Sequence, residues 1–172
     1  MEKEKVNLVN PDIRHKDSYI EALREIISID GDRDGIDIED RKNNFETYLQ
    51  KLENDKIATE GKVPSFQYWL TEGDRYLGRI SYRPELDERL TFRGGNVGYA
   101  IRPSERGKGY ASKMMEMIIE KAKNDGKKEL LMTCDSDNIP SIKVIEKAGG
   151  KYVSSDIDGE KGAPFNRYII TL

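Results

Sequence analysis

The chain has 172 residues, 36% apolar and 35% charged, with a formal net charge of -3. That length suits one domain with its own core, and the acidic balance argues against a uniformly basic nucleic-acid face. A single cysteine, Cys134, excludes an intrachain disulfide and fits a reducing compartment. A single histidine, His15, excludes a His-rich metal site, so no metal is expected. The charged opening Met1-Glu2-Lys3-Glu4-Lys5 leads into no apolar run, and no stretch is apolar enough to span a bilayer. A cytoplasmic protein with no membrane and no nucleic-acid partner is expected.

In chain order, Val6–Val9 alternates apolar and polar residues and reads as a strand. Tyr19, Ile20, Leu23, Ile26 and Ile27 recur at helical spacing, as do Phe45, Tyr48, Leu49 and Leu52, with an acidic loop around Asp30–Asp40 between them. Ser65–Leu70 and Tyr76–Ile80 read as a hairpin turning at Glu72-Gly73-Asp74. A connection from Pro84 to Gly95 leads to a strand at Asn96–Ile101. A helix follows with Ala111, Met115, Ile118 and Ala122 on one stripe, ending at Asn124-Asp125-Gly126. Leu130–Cys134 is a nearly continuous apolar run, as expected of a strand buried on both faces. A helix starting near Asn138-Ile139-Pro140-Ser141 stops at Gly149-Gly150, and strands near Tyr152 and Tyr168–Ile170 close the chain. The middle is therefore a β-α-β unit with parallel strands, whose ligands bind beyond the carboxyl ends of the strands.

The segment Arg102-Pro103-Ser104-Glu105-Arg106-Gly107-Lys108-Gly109-Tyr110-Ala111 sits at that end. Gly107 and Gly109 permit a tight turn and close approach of a ligand, the N–H groups at the helix start favour an anion, and Arg106 and Lys108 add positive charge. A pyrophosphate fits. The competing reading is a glycine-softened turn with solvated basic residues. The Walker A spacing is absent, and the loop lies far from an N-terminal first strand, as a Rossmann fingerprint would require.

Arg106-Gly107-Lys108-Gly109-Tyr110-Ala111 resembles the Arg/Gln-x-x-Gly-x-Gly/Ala motif of the GNAT acetyltransferase superfamily. Val97–Pro103 is similar to that family's fourth strand, and Asn138-x-x-Ser141 with Glu146-Lys147-x-Gly149 is similar to its second block. Gly94–Tyr99 and Leu131–Asp135 resemble a bacterial group of predicted acetyltransferases. The resemblance covers essentially residues 1–172. It implies an α/β fold, a single GNAT domain of β-α-α-β-β-β-α-β-α-β-β order with a mixed twisted sheet of about seven strands. It implies an acetyl group moved from acetyl-CoA to a primary amine of a small-molecule or peptide acceptor, by direct attack in a ternary complex. Backbone N–H groups from Gly107 to Ala111 would hold the pyrophosphate, the backbone of Tyr99, Ala100 and Ile101 would pair with the pantetheine, and Asn138 and Ser141 would lie near it. A homodimer is compatible with this reading.

The usual catalytic positions depart from the pattern. Asn96 stands where many members carry a glutamate base, and Ile145 where many carry a tyrosine acid. Asn96 could still orient a water, Glu88 in the connection is the candidate base, and Tyr99, Tyr152 or Tyr168 could supply a hydroxyl. These vacancies leave a non-catalytic acyl-CoA-binding or sensing module as the alternative. Cys134 has no histidine partner and reads as a packing residue rather than a nucleophile. Trp69, Tyr68, Phe92 and Tyr82 are candidates for an aromatic pocket, though strand aromatics are more often core.

Asp30-Gly31-Asp32-Arg33-Asp34-Gly35 begins like an EF-hand, but the twelfth position is Arg41 and the eighth is Asp37, which disfavours calcium. Instead Asp30, Asp32, Asp34, Asp37, Glu39 and Asp40 are expected to make a negative border that attracts a cationic amine, against the alternative of a merely solvated loop.

Overall fold

The alternating N-terminal segment forms β1 (Val6–Val9), and the first two apolar stripes form α1 (Lys16–Asp30) and α3 (Phe45–Asn54). The computed structural model describes residues 5–32, 35–159 and 162–172. The acidic segment is not all loop: Asp37 caps a short helix, α2 (Ile38–Asn43), accepting from the Asp40 N–H. Strands β2 (Phe66–Glu72) and β3 (Arg75–Tyr82) make the expected hairpin, with a bulge at Leu70/Thr71. The connection after it carries another unexpected helix, α4 (Glu88–Phe92), capped by Asp87. Then come β4 (Val97–Ile101), α5 (Tyr110–Asn124), β5 (Glu129–Asp135), α6 (Ile139–Lys147), β6 (Gly150–Ile157) and β7 (Pro164–Thr171).

The seven strands are divided between two antiparallel sheets, ordered β1-β2-β3-β4 and β5-β7-β6, where one mixed sheet was expected. No ladder joins β4 to β5; they meet at a Gly95–Met132 bridge and at Asn96, whose N–H donates to Leu131 O at 2.8 Å. A Cβ at Gly95 would lie 2.3 Å from Leu131 O, so the contact requires glycine. The Asn96 side chain completes the junction: Nδ2 donates to Arg83 O and Oδ1 accepts from Leu131 N, both at 2.8 Å. One amide thus substitutes for the ladder where the sheets part. Nor is β5 buried on both faces: Leu130 and Met132 are buried, while Leu131, Thr133 and Cys134 are half-buried.

The stripe of α5 buries Met114, Met115, Ile118 and Ala122 against Leu77, Ile80, Leu130, Met132 and Ile170. Each large apolar side chain so buried contributes about 1.5–3 kcal/mol. A second core lies between α1, α3 and the hairpin, where Tyr19 stacks on Trp69 with ring centres 4.8 Å apart and Phe45 and Tyr76 close around them. The two cores hold α1 and α5 on the strands, and the open edge of β4 lies between them and β5.

Candidate active site

Between β4 and α5 the chain makes a 3₁₀ turn at Pro103–Glu105 and then passes Gly107 (φ +77°) and Gly109 (φ +82°). Those angles cost an L side chain about 1–2 kcal/mol. An added Cβ at either position would meet nothing within 4 Å, so backbone conformation rather than crowding demands glycine. Gly109 is the N-cap of α5, and no side chain caps the helix. Its first N–H groups are thus available to a ligand, with the helix dipole behind them.

The basic side chains of the loop are occupied differently from the expectation. Arg106 Nη1 and Nη2 donate to Asp30 at 2.9 and 2.5 Å, and Lys108 Nζ donates to Glu105 at 2.8 Å. Buried Glu105 also receives Arg75. Their charge is therefore paired, and what the loop presents is backbone. Its base is fastened to α1 by Arg102, which is buried and reaches Glu25 at 2.6 Å, Ser18 at 3.2 Å and Glu21 at 3.3 Å; Ser104 N–H also donates to Glu25. Burial acts to raise the Glu25 pKa, but the hydrogen bonds from Arg102 and Ser104 prevail and hold it below the usual carboxylate value.

Strand β4 offers one backbone edge to the cleft. Arg83 N–H donates to Asn96 O and Arg102 N–H to Leu77 O, with an unbroken β3–β4 register between. Alternation in the antiparallel ladder then points the Asn96 C=O, the polar backbone groups of Gly98 and Ala100 and the Arg102 N–H at β3, and the backbone groups of Val97, Tyr99 and Ile101 away from it. The backbone of Ala100 therefore belongs to the sheet, contrary to the expectation that it pairs with a ligand, whereas Tyr99 presents an open edge and Ile101 its N–H, the Ile101 carbonyl already accepting from Arg106 Nε at 3.3 Å.

A cavity of about 1260 Å³ runs along that edge. One end is lined by Tyr99, Ala100, Ile101, Arg106, Gly107, Gly109, Tyr110, Ala111, Asn138 and Ser141, which is every expected donor-binding residue except Lys108. Tyr99 O–H donates to Ser141 Oγ at 3.1 Å, and burial raises the Tyr99 pKa. Asn138 Oδ1 caps α6 by accepting from Ser141 N at 3.2 Å, which leaves its Nδ2 as the group to offer a ligand.

The expected catalytic pair lies elsewhere. Asn96 and exposed Glu88 line a second cavity of about 1000 Å³, with Phe92, Lys128 and Arg167. Asn96 is 7% exposed and both ends of its amide are engaged by backbone. The water-orienting role expected of it came from its standing where many family members carry a glutamate base, and here that position joins the two sheets. Ile145 is core. Cys134 is half-buried, and burial with Asp135 and Glu146 nearby pushes its thiol up to about 11, away from nucleophilic use. Of the three candidate hydroxyls, Tyr99 lines the main cavity; Tyr152 is exposed on β6, with Tyr168 packed against it. His15 is buried, its Nδ1 3.1 Å from Asp74 O.

The other end of the cavity was not foreseen. Tyr19, Arg41, Tyr48, Gln67, Tyr76 and Arg79 line it. None of the four expected aromatics does: Trp69 and Tyr82 are core, Tyr68 packs on the core, and Phe92 borders the second cavity. The spacing of Tyr19 and Tyr48 read only as helix core, and Arg41 as a failed calcium position. Among the acidic residues, Asp30 holds Arg106, Asp32 accepts from Ile36 N, Asp37 caps α2, Glu39 pairs with Arg24, and Asp40 accepts from Asn44. Only Asp30 and Asp32 of these line the cavity; Asp34 lies outside the described residues. The expected negative border is thus largely taken up by caps and ion pairs.

The chain belongs to the GNAT acetyltransferase family: the model of the acetyltransferase (GNAT) domain matches residues 21–151. N-alpha-acetyltransferase 30 of Schizosaccharomyces pombe is 27% identical over 86 residues, 50% of this chain and 57% of that protein. The uncharacterized N-acetyltransferase YnaD of Bacillus subtilis is 35% identical over 85 residues, 49% of this chain and 48% of that protein. The chain thus spans about half the length of these curated relatives. Among solved structures, the ribosomal L7/L12 alpha-N-protein acetyltransferase RimL, in complex with coenzyme A, superposes with a TM-score of 0.69 at 13% identity, covering 97% of this chain and 94% of that one. At that identity the likeness establishes the fold. No described helix is long and apolar enough to cross a membrane.

Proposed function

We propose that this chain transfers an acetyl group from acetyl-CoA to a primary amine of a small-molecule or peptide acceptor, both substrates occupying the one cavity. The observation that carries this reading is the continuity of that cavity from the uncapped N-terminus of α5, past the open edge of β4, to the polar end beneath α1 and α3. The pyrophosphate rests on the N–H groups of Gly107–Ala111, and the pantetheine pairs with Tyr99 and Ile101. The amine enters from the opposite end and its nitrogen attacks the thioester carbonyl carbon. A β4 N–H steadies the oxyanion, the C–S bond breaks, and the amine proton leaves to water. Tyr99, whose hydroxyl stays protonated, turns from Ser141 Oγ to hydrogen-bond the departing thiolate. The names of the curated relatives, both N-acetyltransferases, support the acceptor class.

The position of Asn96 and Glu88 on a different cavity favours one second reading, an acyl-CoA-binding module without turnover. Calorimetry with acetyl-CoA together with thiol release across a panel of amines and peptides separates the two. Binding with acceptor-dependent thiol release is expected; binding with no release on any acceptor overturns catalysis and leaves the module.

A further inference from the structure

The unforeseen end of the cavity carries two guanidinium groups, three phenols and an amide. Arg41 Nη1 donates to Tyr19 O–H at 2.8 Å, and its guanidinium lies over the Tyr48 ring, 3.9 Å from the centroid. Tyr19 O–H donates to Tyr48 at 3.2 Å, and Gln67 Nε2 donates to the same Tyr48 oxygen at 3.2 Å. Tyr48 therefore receives two hydrogen bonds and directs its own proton elsewhere, with no acceptor among the described residues.

Arg79 extends this row. It stands opposite Trp69 in the β2–β3 register, diagonal to Gln67, which places the two on one sheet face at roughly 7–8 Å. It is half-buried, lines the cavity, and makes no side-chain hydrogen bond or ion pair to any described residue. Arg41 likewise has no carboxylate partner among the described residues. The aspartates that line the cavity are engaged elsewhere: Asp55 is held by Lys51 at 2.9 Å and by Lys62, Asp30 by Arg106, and Asp32 accepts from Ile36 N. Burial raises the Tyr19 and Tyr76 pKa values well above the ordinary phenol value, so neither ring supplies a negative charge to the arginines.

A half-buried guanidinium without a counter-ion is costly unless a ligand supplies one, and a planar fork of donors matches carboxylate and phosphate oxygens. We infer that the acceptor carries an anionic oxygen group, a carboxylate or a phosphate, which Arg41, Arg79 and the Tyr48 hydroxyl receive while its amine faces the thioester. This rests on the acetyl-transfer reading and reverses the cationic acceptor that the acidic loop suggested.

The test compares acceptors matched except in charge: the peptide amides Ala-Glu-Glu, Ala-Gln-Gln and Ala-Lys-Lys, and phosphoethanolamine against ethanolamine, which tells carboxylate from phosphate. The anionic member of at least one series is expected to have the lowest KM. Arg41→Gln and Arg79→Gln should each raise that KM about tenfold or more, with the KM for acetyl-CoA unmoved. Arg79→Gln guards against a folding effect of losing the Arg41 stack on Tyr48. Equal or better use of the neutral or basic members in both series overturns the inference even if the protein acetylates them. If nothing turns over, calorimetry of the coenzyme A-loaded protein with the same compounds decides separately. Charge-selective binding lost in both variants sustains the anion site while acetyl transfer fails; the absence of such binding overturns the anion site.

Discussion

On the proposed reading, recognition falls to the backbone at the donor end of the cavity, whereas at the acceptor end it falls to side chains. The loop around Gly107 and Gly109 offers peptide N–H groups, and its charged side chains are already paired with Asp30 and Glu105. The opposite end offers Arg41, Tyr48, Gln67 and Arg79, carried on four different elements. A backbone site reads a constant feature of its ligand and tolerates change in the side chains around it. A side-chain site can be rewritten one residue at a time, which suits a family whose members share a donor and differ in acceptor.

Substitutions should break the two ends in different ways. Gly109→Val forces a β-branched residue into a left-handed N-cap and draws the α5 N–H groups off the phosphate. Acetyl-CoA affinity should fall by about 100-fold in calorimetry, from the loss of several charge-assisted hydrogen bonds. Preserved affinity would mean that the loop is only a turn. By contrast, Lys108→Gln, at the loop position outside the cavity, should change that affinity less than fivefold, a minor effect for an exposed paired charge.

The seam between the sheets gives a middle-sized effect, on stability. Asn96→Leu leaves the buried Leu131 N–H and Arg83 C=O without partners, at about 1–3 kcal/mol for each. Denaturant unfolding should show a loss of about 2–4 kcal/mol. Glu88→Gln, on the exposed start of α4, should leave both stability and the pH–rate profile unchanged. A shifted profile in Glu88→Gln with stable Asn96→Leu would restore the pair as catalytic candidates.

The smallest effect concerns the fastening of the loop to α1. The Glu25 pKa is lowered in the folded state, so its contribution is full above the unfolded carboxylate pKa and is lost as pH falls through the folded value. Wild-type protein should therefore lose this contact's contribution on acidification through the carboxylate range, and Arg102→Met should lack that component while being less stable at neutral pH. A parallel acid profile in the two proteins would remove Arg102–Glu25 as a pH-dependent anchor.

What was legible beforehand follows the same division. The strand–loop–helix from Val97 to Asn124 could be read locally, because Gly107 and Gly109 answer to backbone angles and the Met115, Ile118, Ala122 stripe to helical period. The short capped helices α2 and α4 were missed: six and five residues carry too little apolar period to stand out, although Asp37 and Asp87 were cap signals. Asn96 was recognised as unusual but given the wrong task, since its partners Arg83 and Leu131 lie 13 and 35 residues away.

The sequence by itself determined that this is a GNAT chain with a glycine turn leading into α5, because that turn is a contiguous segment whose requirements are local. Only the tertiary structure decided which charges are spent in pairs and which face the cavity. It turned Asp30 onto Arg106, split the strands at Asn96, and gathered Tyr19, Arg41, Tyr48, Gln67 and Arg79 onto one wall. The physical reason is that a side chain's direction and partners are fixed by packing among α1, α2, α3, β2 and β3, and no spacing along the chain encodes that arrangement.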